Sequence, residues 1–336
     1  MTSSEPPQTK EWLIELLTDE EPFRHPDFAQ RSATNWMRAL RTEIEQQHGH
    51  DMATQGSACA AHFFGLSRRT DIPSRRAIYA PLFASIVYGM ALVSLAETAA
   101  VDAWMCPGAV IQWYYAIYNG MRSILASMQG PVPDTHRGVA NAMKGAIQKM
   151  LPHPLNMYAE WVKNEEFRPE LPDYPQMSLQ GGSPSPLVQA FDGTRDQSQR
   201  MILSYVGGSA TWYADARKRD MLKGEFKKRG WTNFRTNAAR EYRDEQFKNL
   251  QCNFLHVAIR YRGKANYRDP IYFAYGSDTL SSSNKFIGDL AFVARFVAIC
   301  AIEVARRRLG PATADQFASD MMAHFDGWTR FQTAQL

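Results

Sequence analysis

The feature that most constrains the fold is an uncharged stretch, residues 78–96, which reads IYAPLFASIVYGMALVSLA. A helix of this length can cross a bilayer, but a helix enclosed by other helices in a large core has the same composition. Pro81 and Gly89, the hydroxyl side chains within the run and Glu97 directly after it favour the enclosed helix. We therefore expect a soluble bundle and no membrane partner.

Other segments repeat their apolar residues at helical spacing, so the predicted fold class is all-α. Residues 111–128 carry apolar and aromatic side chains around most of a helix, and Gly130 with Pro131 ends it. Residues 284–309 end in three arginines before Gly310. No alternation lasts long enough to predict a strand. Shorter helices are predicted at residues 32–48, 140–150, 254–260 and 314–325, and another begins at about residue 196. Ser32 is the predicted N-cap of the first of these. Helical structure should be interrupted at the MCPG sequence of residues 105–108 and in the proline-rich residues 168–186.

The positive charge is unevenly distributed. The whole chain has a net charge of +4, yet residues 214–248 contain eleven basic and six acidic side chains, with aromatic residues between them. Cations that bind phosphates, beside rings that stack on bases, are typical of surfaces for RNA or single-stranded DNA. A solvated helix with core aromatics gives the same pattern. The candidate binding residues are Arg217, Lys218, Arg219, Lys227, Lys228, Arg229, Trp231 and Arg235.

Cysteine and histidine spacing does not indicate a metal site. Cys59, Cys106, Cys252 and Cys300 are far apart and form no CxxC pair, so we expect reduced, buried thiols. The sequence His48-Gly49-His50 has acidic neighbours, but a polar turn explains it. We expect no cofactor and no metal. The first ten residues lack an apolar signal core, which favours the cytoplasm.

Three separated segments resemble one helical family. Tyr114-Tyr115-Ala116-Ile117-Tyr118-Asn119, continuing to Arg122, is similar to the YYAxFxAARALL helix of HEPN domains. Thr135-His136-Arg137-Gly138-Val139 resembles the THxGV that follows it. Arg262-Gly263-Lys264-Ala265-Asn266-Tyr267 resembles the RxKADY segment before the last HEPN helix, with Asn266 in place of the usual aspartate.

The resemblance implies an antiparallel bundle of four or five helices formed by residues 78–150 and 250–310. Residues 1–77 would then be an N-terminal helical extension. Residues 151–249 would be a mostly helical insertion, where family members have a short link, and it would contain both the Pro/Gly-rich loop and the basic segment. Residues 311–336 would be a tail helix.

Two expectations follow for the bundle and its site. The helices at residues 111–128 and 284–309 should meet through Tyr114, Tyr118, Ile124, Phe292, Phe296 and Ile299. Asn119 and Arg122 lie on one helix stripe, and His136 with Arg137 begins a helix, a place suited to anions. We predict a polar pocket in which Asn119, Arg122, His136, Arg137, Arg262 and Asn266 converge.

Catalysis is the less supported prediction. HEPN ribonucleases resemble one another in an Arg-x(4–6)-His motif, but no histidine follows Arg260 or Arg295 at that spacing. Arg41 and His48 fit the spacing and, two turns apart, would share a helix face, although a solvated helix end explains them as well.

The function predicted from the sequence is that of a HEPN-like protein. It would bind RNA or single-stranded DNA as one component, beside another protein subunit, of a defence or toxin–antitoxin type system. The alternatives are a metal-independent endoribonuclease, with Arg41 and His48 or with a site completed in a homodimer, and a structural subunit that docks a protein partner.

Overall fold

A computed structural model describes residues 26–71, 74–98, 102–162, 166–172, 186–268 and 280–334. Within these ranges the chain is mainly helical, as predicted. The helices are α1 (Pro26–His48), α2 (Met52–His62), α3 (Arg75–Ala96), α4 (Cys106–Gln129), α5 (His136–Ala142), α6 (Ala146–Met150), α7 (Arg195–Lys223), α8 (Glu225–Lys228), α9 (Asn237–Phe247), α10 (Phe254–Gly263), α11 (Leu280–Leu309), α12 (Pro311–His324) and α13 (Gly327–Thr333). Single turns occur at Ala103–Met105, Pro186–Val188 and Lys264–Arg268.

The centre of the fold is a bundle of α3, α4 and α11, which pack against one another along their lengths. The residues expected to join α4 to α11 are almost completely buried, so that prediction is confirmed. They are Tyr114, Tyr118, Ile124, Phe292, Phe296 and Ile299. The near-continuous apolar character of both helices follows from this position, because each is covered on most of its circumference.

The N-terminal helix is part of the same core. Trp36, Leu40 and Ile44 of α1 are fully buried, and the Trp36 ring stacks on Tyr205 of α7 with centroids 4.5 Å apart. The first half of α7 therefore joins this core as well. The predicted N-cap at Ser32 is wrong: α1 begins at Pro26, and Ser32 is buried within the helix.

A small sheet is present that the sequence analysis did not predict. Its strands are β1 (Tyr158–Val162), β2 (Glu166–Glu170) and β3 (Gln251–Asn253), antiparallel in the order β2-β1-β3. Part of the predicted proline-rich loop is thus strand β2, where Pro169 is tolerated because the strand lies at an edge. Residues 173–185 of that loop lie outside the described residues.

Helix α3 is the one helix in the described part of the chain that is long and apolar enough to cross a membrane. In the structure the C-terminal helices cover part of its surface. Tyr79 contacts Phe317 of α12 with ring centroids 5.0 Å apart, and Phe83 contacts Phe325 at 5.2 Å. In its most apolar window, 39% of α3 is buried inside the fold.

Two predicted helix boundaries differ from the structure. The MCPG sequence was expected to interrupt the helical structure. Instead Pro107 lies in the first turn of α4, where a missing amide hydrogen costs no hydrogen bond. Residues 140–150 do not form one helix. They divide between α5 and α6 at Gly145, whose φ of 68° is accessible to glycine.

Gly120 lies where α4 packs tightly against α11 and α3. A Cβ at this position would lie 2.7 Å from Cγ1 of Val297 and 3.1 Å from Oγ of Ser85. We expect Gly120→Ala to lower the free energy of unfolding by about 1–3 kcal/mol, since the helices must separate. Gly56→Ala in α2 is the control, because its Cβ would meet nothing within 4 Å. Urea unfolding of both variants tests this; equal stabilities would contradict it.

Candidate nucleic-acid interface

A histidine and two tyrosines form the first part of the candidate site. Tyr114 and Tyr118 lie one turn apart on α4, and His136 begins α5 against them. The Tyr114 hydroxyl and His136 Nδ1 are 2.6 Å apart, and the His136 ring lies 4.3 Å from that of Tyr118. Burial raises the pKa of Tyr114, so its phenol keeps its proton and can donate it to a neutral imidazole.

Two arginines cover these rings from either side. The Arg262 guanidinium lies 4.7 Å above the Tyr114 ring, and that of Arg122 lies 5.7 Å from the Tyr118 ring. The Nε atoms of both arginines are buried and have no hydrogen-bond acceptor within the described part of the chain. We call Tyr114, Tyr118, Arg122, His136 and Arg262 the tyrosine–arginine cluster. The sequence analysis expected His136 and Arg262 to be close, and this is confirmed.

The two asparagines predicted for this pocket take different positions. Asn119 donates from Nδ2 to the carbonyl of Tyr115 and, with Arg122, lines a cavity of about 710 Å³ between α3 and α4. Arg76 lies on the opposite wall of that cavity. Asn266 is exposed in the turn after α10. The structure therefore brings Asn119 next to Arg122, but it shows no contact of Asn266 with the cluster.

A second group of cations lies on the other side of α5. The Arg137 guanidinium is 6.0 Å from the ring of Tyr213 on α7. Arg217, one turn further along α7, has a buried Nε without an acceptor among the described residues. Lys144 is half-buried between them and His256 of α10. We call Arg137, Lys144, Tyr213, Arg217 and His256 the Tyr213 cluster.

The titrating groups of both clusters are shifted by burial and by their cationic neighbours. Burial lowers the pKa of His136, and Arg262 and Arg122 lower it further. Burial likewise lowers the pKa of His256 to about 3, with Lys144 and Arg137 contributing. The pKa of Lys144 is lowered by burial and by Arg217. Burial is the largest cause of each shift, and the neighbouring cations add to it because they repel the protonated form.

We call the two clusters together the α5 basic surface. The arginine and lysine side chains of this surface form no ion pair within the described part of the chain. They are Arg122, Arg137, Lys144, Arg217 and Arg262. Asp134 offsets this charge in part beside Tyr118, and the remaining excess of cations attracts anions. The sequence analysis did not identify Lys144, Tyr213 and His256, because segments far apart in the chain meet there only after folding. Helix α5 itself is only seven residues long, so the side chains rather than its dipole create the field.

Several side chains of the predicted basic segment, residues 214–248, contact other residues of the same segment. The Arg229 guanidinium lies 4.4 Å from the Tyr242 ring, and Lys228 pairs with Glu225 at 2.7 Å. Trp231 is half-buried against Phe226, with centroids 5.1 Å apart, which is the position of a small core rather than of a free stacking platform. Lys218 pairs with Asp215 at 3.6 Å. Arg219, Lys227 and Arg235 are exposed.

Arg41 and His48, the candidate catalytic pair, each have structural partners. Arg41 pairs with Glu45 at 2.9 Å and with Asp289 of α11 at 3.2 Å. His48 Nε2 lies 2.7 Å from the carbonyl oxygen of His153, and its ring stacks on Phe296 at 4.8 Å. Both side chains thereby connect α1 to α11, and His48 also connects it to the segment that contains His153.

Comparisons with protein-family models, with curated proteins and with solved structures find no match to this chain. The α5 basic surface must therefore be interpreted from its own chemistry.

Proposed function

We propose that this protein binds single-stranded nucleic acid, RNA or DNA, through the α5 basic surface. The observation that carries the proposal is the convergence of Arg122, Arg137, Lys144, Arg217 and Arg262 around one short helix, where they form no ion pair in the described part of the chain although the Asp134 carboxylate lies within electrostatic reach of Tyr118. A phosphodiester backbone supplies regularly spaced anions that would neutralise such a surface.

The aromatic rings of the surface favour backbone contacts over base stacking. Tyr114, Tyr118 and Tyr213 are at least nine-tenths buried, and arginines lie over them. The rings hold the guanidinium groups in place through cation–π contact, so less conformational entropy is lost when a phosphate binds. The proposal therefore implies weak dependence on base sequence and strong dependence on salt.

The positions of the motif segments support the HEPN resemblance within this proposal. The segments that contain Tyr114, His136 and Arg262 are remote in sequence, and their side chains meet in the tyrosine–arginine cluster. The HEPN assignment, a place in a defence or toxin–antitoxin type system, a protein partner and a homodimer rest on that resemblance. The ribonuclease alternative with Arg41 and His48 stays a prediction from the sequence.

Fluorescence anisotropy with labelled oligouridylate and oligothymidylate, over a series of NaCl concentrations, tests the proposal. The variant combines Arg137→Gln, Lys144→Gln and Arg217→Gln. We expect weaker binding and a slope of log affinity against log salt that falls by about 0.7 for each lost contact on a single strand. Circular dichroism should show an intact fold, since these side chains form no ion pair in the described residues.

The matched control replaces Lys227, Lys228 and Arg229 by glutamine, which removes the same charge from α8 and its C-cap. We expect this control to bind nearly as well as the wild type. If the control loses affinity instead, the interface is the segment around α8 and not the α5 basic surface. If neither oligonucleotide binds the wild type at low salt, the proposed function is wrong.

A further inference from the structure

A polar pocket of about 490 Å³ opens between α1 and α11. This volume is typical of small-molecule sites. The pocket is formed by other elements than the α5 basic surface. One stripe of α1, with Arg38 and Arg41, faces one stripe of α11, with Asn284 and Asp289, and Phe191 lies at its edge.

Two acceptors in this pocket have no hydrogen-bond donor among the described residues. Asp289 is 1% exposed; its Oδ1 accepts from Arg41 at 3.2 Å, but its Oδ2 accepts no hydrogen bond, with Arg38 Nε 3.7 Å away. Asn284 donates from Nδ2 to the carbonyl of Thr98, which leaves its buried Oδ1 without a donor. Buried acceptors are ordinarily paired, so these two indicate a ligand that donates hydrogen bonds.

The charges of the pocket wall restrict the class of ligand. Arg38, Arg41 and Lys285 are balanced by Glu45, Glu97 and Asp289, so a multiply charged anion gains little there. An ammonium group at Asp289 would lie beside two guanidinium groups, which repel it. Hydroxyl groups avoid both problems, because each is neutral and can donate to a carboxylate while it accepts from an arginine.

The shape of the pocket fits a ring with an apolar face. Gly288, one turn from Asn284, is buried, yet an added Cβ would meet no atom within 4 Å. The missing side chain therefore leaves free space in the floor of the pocket. The half-buried ring of Phe191 supplies an apolar surface at the same site.

We propose that the pocket between α1 and α11 binds a neutral polyhydroxylated ligand of monosaccharide size, whose hydroxyl groups donate to Asp289 and Asn284 and accept from Arg38. The apolar face of the sugar ring would lie against Phe191. Burial raises the pKa of Asp289 to about 6, with Arg41 and Arg38 opposing the shift. The carboxylate is therefore still mainly ionised at neutral pH, but its ionisation is less favourable in the folded than in the unfolded chain, which agrees with a residue that serves binding rather than stability.

Saturation-transfer NMR of the full chain with glucose, galactose, mannose and ribose tests this inference, with titration calorimetry for any sugar that binds. We expect at least one of these sugars to bind. A deoxy analogue of that sugar, without the hydroxyl group that donates to Asp289, should give no saturation-transfer signal. Asp289→Asn should weaken binding by about tenfold to a hundredfold, the usual loss for a hydrogen bond to a charged group.

Gly288→Leu is the second variant, because its side chain should fill the floor without a clash with the protein. It should fold, as judged by its melting curve, and bind none of the sugars. The inference is overturned if none of the four sugars binds the wild type. It is equally overturned if Gly288→Leu binds as the wild type does, or if L-amino acids bind at this site and sugars do not.

Discussion

Replacing Trp36 by alanine should lower the free energy of unfolding by about 3–5 kcal/mol, among the largest losses for a single core substitution. Trp36 is fully buried, stacks on Tyr205, and meets the rings of Trp113 and Tyr261 edge-on at 5.8 and 4.9 Å. Its removal leaves a cavity bordered by α1, α4, α7 and α10. Because these helices are remote in sequence, they cannot all move inwards to fill it.

Trp104→Ala is the matched control for Trp36→Ala. The Trp104 side chain is 66% exposed, and its Nε1 donates to Asp102 at 3.0 Å. A surface change of this kind usually alters stability by less than about 0.5 kcal/mol. Urea denaturation followed by circular dichroism measures both variants. Similar midpoints for the two would mean that α1 does not belong to the cooperative core.

Glu43→Ala should destabilise the fold by a similar amount, about 3–5 kcal/mol, because it breaks a buried ionic network. Glu43 is completely buried, and its Oε2 accepts from His153 Nε2 at 2.6 Å and from Gln199 at 3.0 Å. Arg195 of α7 approaches the same oxygen at 3.4 Å. Without the carboxylate, the His153 and Gln199 donors remain in the interior with no acceptor at this position.

Glu43→Gln separates the charge from the shape of this residue. The amide keeps one acceptor oxygen and nearly the same volume, so we expect a smaller loss than for alanine. Arg195→Gln should cost least, since its side chain is 47% exposed and water can replace the carboxylate. Thermal unfolding of the three variants gives the order of their stabilities. A glutamine variant less stable than the alanine variant would contradict this account of Glu43.

The long helices could be predicted from the sequence because their apolar residues repeat over many turns. The buried faces of α4 and α11 are examples. The sheet could not be predicted, since β3 is only three residues long and β2 contains Pro169. Such short strands have no periodicity of their own, and they are ordered by the helices packed on them.

The candidate site could be predicted only where the motif residues themselves form it. Arg122, His136 and Arg262 were found from the sequence and do meet. Lys144 and Tyr213 were missed, because nothing in the local sequence shows that α7 returns to α5. The predicted role of Trp231 and Arg229 in binding stays a prediction: the two side chains pack on each other at 5.4 Å, while Arg229 remains exposed.

The order of the helices along the chain has a consequence for synthesis. The central bundle needs α11, which ends at Leu309, and the Trp36 contacts need α1 from the other end of the described chain. The chain must therefore leave the ribosome as far as Leu309 before the core can close. Until then the apolar faces of α3 and α4 remain uncovered, and exposed apolar surface of this kind promotes aggregation.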